Sequence, residues 1–136
     1  MGIRIRGLCP LLQVFDMPAS IGFYRDVLGF EVVQTSASGE HFDWALLRHG
    51  AAELMLNTAY EGDVCPPAPD PARVAAHDDT ALFIGCPDVD AACLHLRAHG
   101  VDASEPRTQA YGMRQIYAHD PDGYVVCLQW PAQPET

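Results

Sequence analysis

His119-Asp120-Pro121-Asp122-Gly123-Tyr124-Val125-Val126 is the stretch that decides the fold. Asp, Pro and Gly in this order make a tight turn, because Asp bonds its own backbone, Pro presets φ and Gly accepts a left-handed conformation. The apolar run after it predicts a strand over Tyr124–Trp130, and Arg114–His119 before it predicts a partner strand. A second informative stretch, Asp16 through Phe23-Tyr24-Arg25-Asp26-Val27-Leu28-Gly29-Phe30, predicts a helix capped by Asp16 and stopped at Gly29.

The chain can be laid on itself. Asp16 matches Asp88, Gly29 matches Gly100, and Gly50 matches Gly123, at spacings of 71 to 73 residues. Val89, Ala92, Cys93 and Leu96 form an apolar stripe at i, i+3, i+4 and i+7, which predicts a helix over 89–99. Met17, Ser20, Ile21 and Tyr24 occupy the equivalent places of a helix over 17–28. Strands are expected at Glu31–Ser36, Phe42–His49 and Ala52–Asn57 in the first copy. In the second they are expected at Val101–Ser104, Arg114–His119 and Tyr124–Trp130. Each copy also opens on a strand. The order is βαβββ, twice, which makes the fold class α+β.

Between the copies, Asp63-Val64-Cys65-Pro66-Pro67-Ala68-Pro69-Asp70-Pro71 holds too much proline for a central strand or helix. A single domain over 1–136 is expected, with module one at about 1–60, a connector at 61–78 and module two at 79–132. One helical turn is possible at Ala72–His77.

Bulk composition narrows the function. The 136 residues carry a net charge of −10, with eight arginines and no lysine. Residues 1–60 contribute 4 Arg and 6 acids, residues 61–136 contribute 4 Arg and 12 acids. Such a field repels nucleic acid and anionic membranes and favours neutral or cationic partners. No apolar run is long enough for a membrane span and no signal peptide is visible, so a cytoplasmic protein is expected. Five cysteines without a C-x-x-C pair read as free thiols.

The capped helix, the Asp-Pro-Asp-Gly turn and the repeat together resemble the vicinal oxygen chelate superfamily, the glyoxalase, bleomycin-resistance and dioxygenase group. The resemblance covers nearly the whole chain. It implies two βαβββ modules whose mixed sheets curl into an open cup, with helices outside and ligands inside. Fold alone does not name the reaction.

Strand alternation separates the two faces of each sheet. Leu12 and Val14, Leu54 and Leu56, Leu82 and Ile84, and Val126 and Leu128 are apolar sets. The more polar sets opposite them, including Cys9 and Gln13, Glu53 and Met55, Phe83, and Cys127 and Gln129, are assigned to the cup. Phe42, Trp44 and Leu46 share one face of their strand, and such an aromatic stripe reads as core.

Metal-dependent members of the family take His or Gln from the opening strand of each module and Glu from its last. Those places fall here at Cys9, Glu53, Ala81 and Cys127, with a one-residue offset at Glu53. Alanine cannot ligate, so the expectation is no metal and no cofactor, although Cys9, Glu53 and Cys127 could in principle hold zinc. His41 sits at a strand start and could enter the cup. Cys thiols behave chiefly as small buried hydrophobes.

Tyr111-Gly112-Met113-Arg114 resembles the approach to the same turn in the metal-free bleomycin-resistance proteins, which sequester a drug in the cup of a dimer. Arg114 could face a ligand or pin the turn through Asp120 or Asp122. The reading that follows is a metal-independent small-molecule binding protein of that type, a homodimer without nucleic-acid or membrane partners. Its ligand site is expected at Gln13, Glu53, Met55, Phe83, Tyr111, Arg114 and Cys127. The alternative is a glyoxalase- or isomerase-type metalloenzyme with a non-standard metal set, so whether the chain is an enzyme stays open.

Overall fold

Three aspartates start three helices in the computed structural model, which describes residues 2–60 and 65–132. Asp16 Oδ1 accepts from the Ala19 N–H, Asp70 Oδ1 from Ala72, and Asp88 Oδ1 from Ala91. Each satisfies a backbone donor that the first helical turn leaves without an intrahelical partner. The helices are α1 (Met17–Ile21), α2 (Pro71–Ala76) and α3 (Val89–Ala98). The turn foreseen at Ala72–His77 is therefore α2, continued by a 3₁₀ turn at His77–Asp79. The connector residues 61–64 lie outside the described residues.

The strands are β1 (Leu11–Gln13), β2 (Glu31–Thr35), β3 (Trp44–His49) and β4 (Ala52–Asn57), then β5 (Ala81–Gly85), β6 (Arg107–Thr108), β7 (Met113–His119) and β8 (Val125–Pro131). They form two four-stranded sheets of one topology, β1-β4-β3-β2 and β5-β8-β7-β6. In each, the opening strand pairs in parallel with the last, and the other pairs are antiparallel. The architecture is α+β. The chain falls into two compact units that divide between Pro66 and Pro67.

In the first unit, Leu12, Ala45, Leu47, Leu54 and Leu56 are buried together with Met17, Ser20, Ile21 and Tyr24 of the helical segment. In the second, Val126, Leu128, Ile116 and Ala118 are buried with Val89, Cys93 and Leu96 of α3. The helical stripes read from the sequence are thus the packed faces.

Four local expectations need correction. The helix expected over 17–28 is α-helical only to Ile21, and Gly22–Val27 is π-helical. Leu28 donates to the Phe23 carbonyl five residues back. The wider turn lets neighbouring Phe23 and Tyr24 both turn inward, their rings 5.0 Å apart at 85°. The strand expected at Val101–Ser104 is absent. Ser104 instead brackets Tyr117, donating its N–H to the Tyr117 carbonyl and accepting the Tyr117 N–H on its hydroxyl. The short β6 follows Pro106. Third, β1 starts only at Leu11, because Pro10 has no N–H to donate, and Leu8 is exposed. Fourth, Ala45 and Leu47 are core, whereas Phe42, Trp44 and Leu46 are only half-buried. Bulk alone misled here, since pairing with Leu56 and Leu54 decides which parity faces α1.

The Asp120–Tyr124 turn ties the second unit together. Asp120 is buried, and its Oδ1 accepts from the N–H groups of Asp122 and Tyr124 at 2.9 and 3.0 Å. His77 stacks on Tyr124 at 4.0 Å and 9°, and the Asp122 carbonyl accepts from His77 Nδ1 at 2.7 Å. Gly123 has φ +88°, and a Cβ there would sit 2.5 Å from the Val74 carbonyl oxygen. Gly100, with φ +78°, has open space around its would-be Cβ.

Gly123→Ala should therefore destabilise more than Gly100→Ala. The second carries only the left-handed backbone penalty of about 1–2 kcal/mol, while the first adds displacement of α2. Urea unfolding of the two variants, compared with the parent, measures the difference. Equal losses would mean that α2 moves away from the turn without cost.

Candidate functional site

Pairing across the sheets determines which side chains share a face, since directly opposed residues point the same way. In the second sheet, Phe83 lies opposite Cys127, which lies opposite Tyr117. In the next row, Gly85 lies opposite Gln129, Gln129 opposite Gln115, and Gln115 opposite Arg107. The alternate row runs Trp130, Arg114 and Thr108. Arg114 closes a bidentate pair with Asp90 of α3, at 2.8 and 2.7 Å, and donates to Thr108 Oγ1 at 3.1 Å. The Arg114 parity is therefore the helix side. The parity of Phe83, Cys127, Tyr117, Gln115 and Gln129 is the side away from α3.

This corrects the expectation for Arg114 twice over. It is on the opposite face from Phe83 and Cys127, and it pins neither Asp120 nor Asp122. Its guanidinium holds the Asp90 carboxyl below the usual carboxylate range, chiefly through the hydrogen bonds of the pair. A cleft of about 520 Å³ lies beside this pair, lined by Asp88, Val89, Thr108 and Trp130 among others.

On the face away from α3, uncharged polar groups are joined in a network. Gln115 is buried, and its Oε1 accepts from the hydroxyls of Tyr111 and Tyr117 at 2.9 and 3.0 Å. Gln115 Nε2 donates to Gln129 Oε1 at 2.8 Å. Phe83, 54% exposed, meets Tyr117 edge-on at 6.4 Å, and Tyr111 is 69% exposed. Cys127 is fully buried in the row between Phe83 and Tyr117, and burial pushes its thiol pKa up. Burial also raises the Tyr117 phenol, helped by the neighbouring Cys127, to about 12. At neutral pH both groups are protonated and uncharged.

In the first sheet, Leu11 lies opposite Met55, and Gln13 opposite Asn57, whose amide donates to Gln13 Oε1 at 3.2 Å. Trp44, Leu46 and Arg48 stand opposite Asn57, Met55 and Glu53. Gln13, Met55 and Glu53 thus share the face away from the Leu12–Leu56 core. Glu53 is paired with Arg48 at 3.1 Å. Cys9 lies near both, and its pKa is raised by burial and then by the Glu53 charge.

The two sheets also correct the repeat alignment. Leu11 opposite Met55 and Phe83 opposite Cys127 are the same place in the two copies, both strands shifted by 72 (83 − 11 and 127 − 55). The counterpart of Cys127 is thus Met55, and the counterpart of Glu53 is Val125, which faces Ala81. Among the described residues, no three His, Cys, Asp or Glu side chains gather as a metal-binding group. The positions implied for a metal hold Ala81, a Glu53 already paired with arginine, and two thiols whose pKa values are raised. Ala81 carries no donor atom and the Glu53 carboxylate is already engaged by Arg48, so the set of four ligands implied by the family resemblance is incomplete at these positions.

The histidines serve other purposes. His119 pairs with Asp78 at 2.8 Å, His49 packs edge-on against Phe30, and His99 Nδ1 contacts the His95 carbonyl. His41 is exposed in the loop before β3, not at the strand start.

The sequence pattern does not single out Arg107, Gln115 or Tyr117, which strand pairing puts on the same face as Phe83 and Cys127. The signal for two of them was present: a hairpin centred on the Asp120–Tyr124 turn puts Tyr117 opposite Cys127 and Gln115 opposite Gln129. Nothing in the sequence located the two-residue β6, so Arg107 had no face until its pairing was known.

Residues 8–128 match the Glyoxalase/Bleomycin resistance protein/Dioxygenase superfamily, and the chain belongs to that family. It is 30% identical over 123 residues to a lactoylglutathione lyase of Haemophilus influenzae, covering 85% of each chain. Among solved structures it resembles TnmS3, an antibiotic binding protein from Streptomyces sp. CB03234. That match has 26% identity and TM-score 0.65, and covers 96% of this chain and 100% of the other. The bleomycin resistance determinant encoded on transposon Tn5 shares the fold at TM-score 0.69 and 20% identity, over 95% of this chain and all of the other. No helix among the described residues is long and apolar enough to cross a membrane.

The cysteines provide a direct check on the faces. In the native protein at pH 8, exposed Cys65 should react with a disulfide reagent more than about tenfold faster than buried Cys93 and Cys127. Labelling followed by peptide mass analysis reads the order. Rapid labelling of Cys127 would show that its row is open to solvent.

Proposed function

We propose that this chain is a metal-independent small-molecule binding protein of the bleomycin-resistance type. It holds a small, partly aromatic ligand and acts as a homodimer. The observation that carries the reading is the second-sheet face. Exposed Phe83 and Tyr111 border a hydrogen-bonded row of uncharged Gln115, Tyr117 and Gln129. Apolar rings with a few placed polar groups are the usual composition of a small-molecule site. The face offers no activated nucleophile: the raised thiol of Cys127 and the raised phenol of Tyr117 are both protonated at neutral pH.

On the second unit the proposed ligand residues are Phe83, Cys127 and Tyr111, the last from the turn before β7; Gln13, Glu53 and Met55 are proposed for the corresponding face of the first sheet, and Arg114 is left out. The metal-independent part of the proposal rests on the donor set, in which Ala81 stands where a metalloenzyme of the family needs a ligand and Glu53 is paired with Arg48. A single-domain organisation, two modules joined by the connector, is part of the same proposal. The lyase relative keeps a second reading in view, a glyoxalase- or isomerase-type metalloenzyme with a non-standard metal site.

Fluorescence titration with 2-naphthamide, a neutral planar probe, tests the reading. Saturable binding should survive dialysis against a chelator and should weaken about tenfold or more in Tyr111→Ala, with little change in melting temperature, because Tyr111 is exposed. Loss of binding on chelation, restored by zinc or nickel, would favour the metalloenzyme. A monomeric mass at micromolar concentration would remove the dimer.

A further inference from the structure

Arg107 lies on β6 directly opposite Gln115, while its neighbour Thr108 lies opposite Arg114. The Arg114–Thr108 hydrogen bond shows that the Thr108 parity faces α3. Arg107 therefore belongs to the other face, at the end of the row Gly85, Gln129, Gln115 and Arg107. Four arginines are paired with carboxylates: Arg25 with Asp26, Arg48 with Glu53, Arg97 with Glu105 and Arg114 with Asp90. Arg107 makes no ion pair or side-chain hydrogen bond among the described residues. Arg4, Arg6 and Arg73 likewise make no ion pair among the described residues, but of these four arginines only the exposed Arg107 lies on a strand, in a row with neutral hydrogen-bonding groups.

The rest of the row has the chemistry to complement an anion. Gln115 is buried, and its oxygen already accepts from two phenols. The Gln129 oxygen accepts from Gln115, and no partner holds the Gln129 amide donors among the described residues. Donors therefore remain at Gln129 and Arg107, on either side of Gln115, with the Phe83 ring in the adjacent row. Guanidinium is a planar fork that matches a carboxylate.

We propose that Arg107 is the specificity-determining residue of the second-sheet face, and that the ligand is a planar aromatic molecule carrying a carboxylate or another anionic oxygen. The ring lies towards Phe83 and Tyr117, and the anion lies at Arg107 with Gln129. The overall negative field does not oppose this, because charges beyond about 8 Å are largely screened at physiological salt, while a direct contact is not. The proposal rests on the small-molecule reading above and names the ligand class for it.

Three probes of one shape separate the two claims: 2-naphthoate, 2-naphthamide and 2-naphthylmethylammonium. Naphthoate should bind at least about fivefold tighter than the amide and the ammonium weakest, as a charge-assisted hydrogen bond adds to the ring contact. In Arg107→Gln the naphthoate preference should vanish while amide binding persists. Arg114→Gln, on the helix face, should leave the preference intact. If naphthoate binds no tighter than the amide, or if Arg107→Gln weakens all three alike, the anion role of Arg107 is wrong while the binding reading stands. If none of the three binds, the small-molecule reading itself fails.

Discussion

The buried carboxylate of Asp120 is the constraint on which the second unit depends. By accepting from the Asp122 and Tyr124 N–H groups, it shapes a turn whose backbone donors would otherwise be buried without partners. That turn sets His119 opposite Val125, and the register of the whole β7–β8 hairpin follows. A slip of one residue would exchange the two faces and put Arg114 where Gln115 now stands. The same turn provides the surface against which α2 and His77 pack. The absence of a side chain at Gly123 admits the Val74 backbone, and His77 stacks on Tyr124.

From this register follows a division of chemistry between the two faces of the sheet. The α3 side holds apolar packing and one peripheral ion pair, Arg114 with Asp90. That pair is exposed, and such pairs add little to stability. The other side holds rings and neutral hydrogen-bonding groups, with a single arginine at the edge strand. The thiol of Cys127 and the phenol of Tyr117 are protonated for the same reason, desolvation, which disfavours the charged form.

The first sheet repeats the topology with different chemistry. Met55 takes the place of Cys127, Gln13 and Asn57 make one amide–amide bond, and Glu53 pairs with Arg48. Duplication has preserved strand order and helix caps, for which backbone geometry leaves few choices. The side chains on the faces away from the helices differ between the two units.

Most of the elements were legible in the sequence, the two-residue β6 and the π-helical turn at Gly22–Val27 excepted. Asp16 and Asp88 as caps, Gly29 and Gly100 as stops, the stripe of Val89, Cys93 and Leu96, and the Asp-Pro-Asp-Gly turn each follow from local backbone chemistry, which depends on neighbours in the chain. Strand alternation likewise put Phe83 with neither Leu82 nor Ile84, and Cys127 with neither Val126 nor Leu128. What needed tertiary structure was every decision made by a partner distant in sequence. The widening of the first helix after Ile21 depends on how Phe23 and Tyr24 pack. The core parity of β3 depends on β4, and the equivalence of Cys127 with Met55 depends on β5 and β1. Arg114 turns to Asp90, 24 residues away, because β7 lies under α3 with that parity inward. Arg107 acquires a face only through its pairing with Gln115. Local sequence determines which backbone conformations are cheap; which side chain meets which is determined by the pairing of strands far apart in the chain.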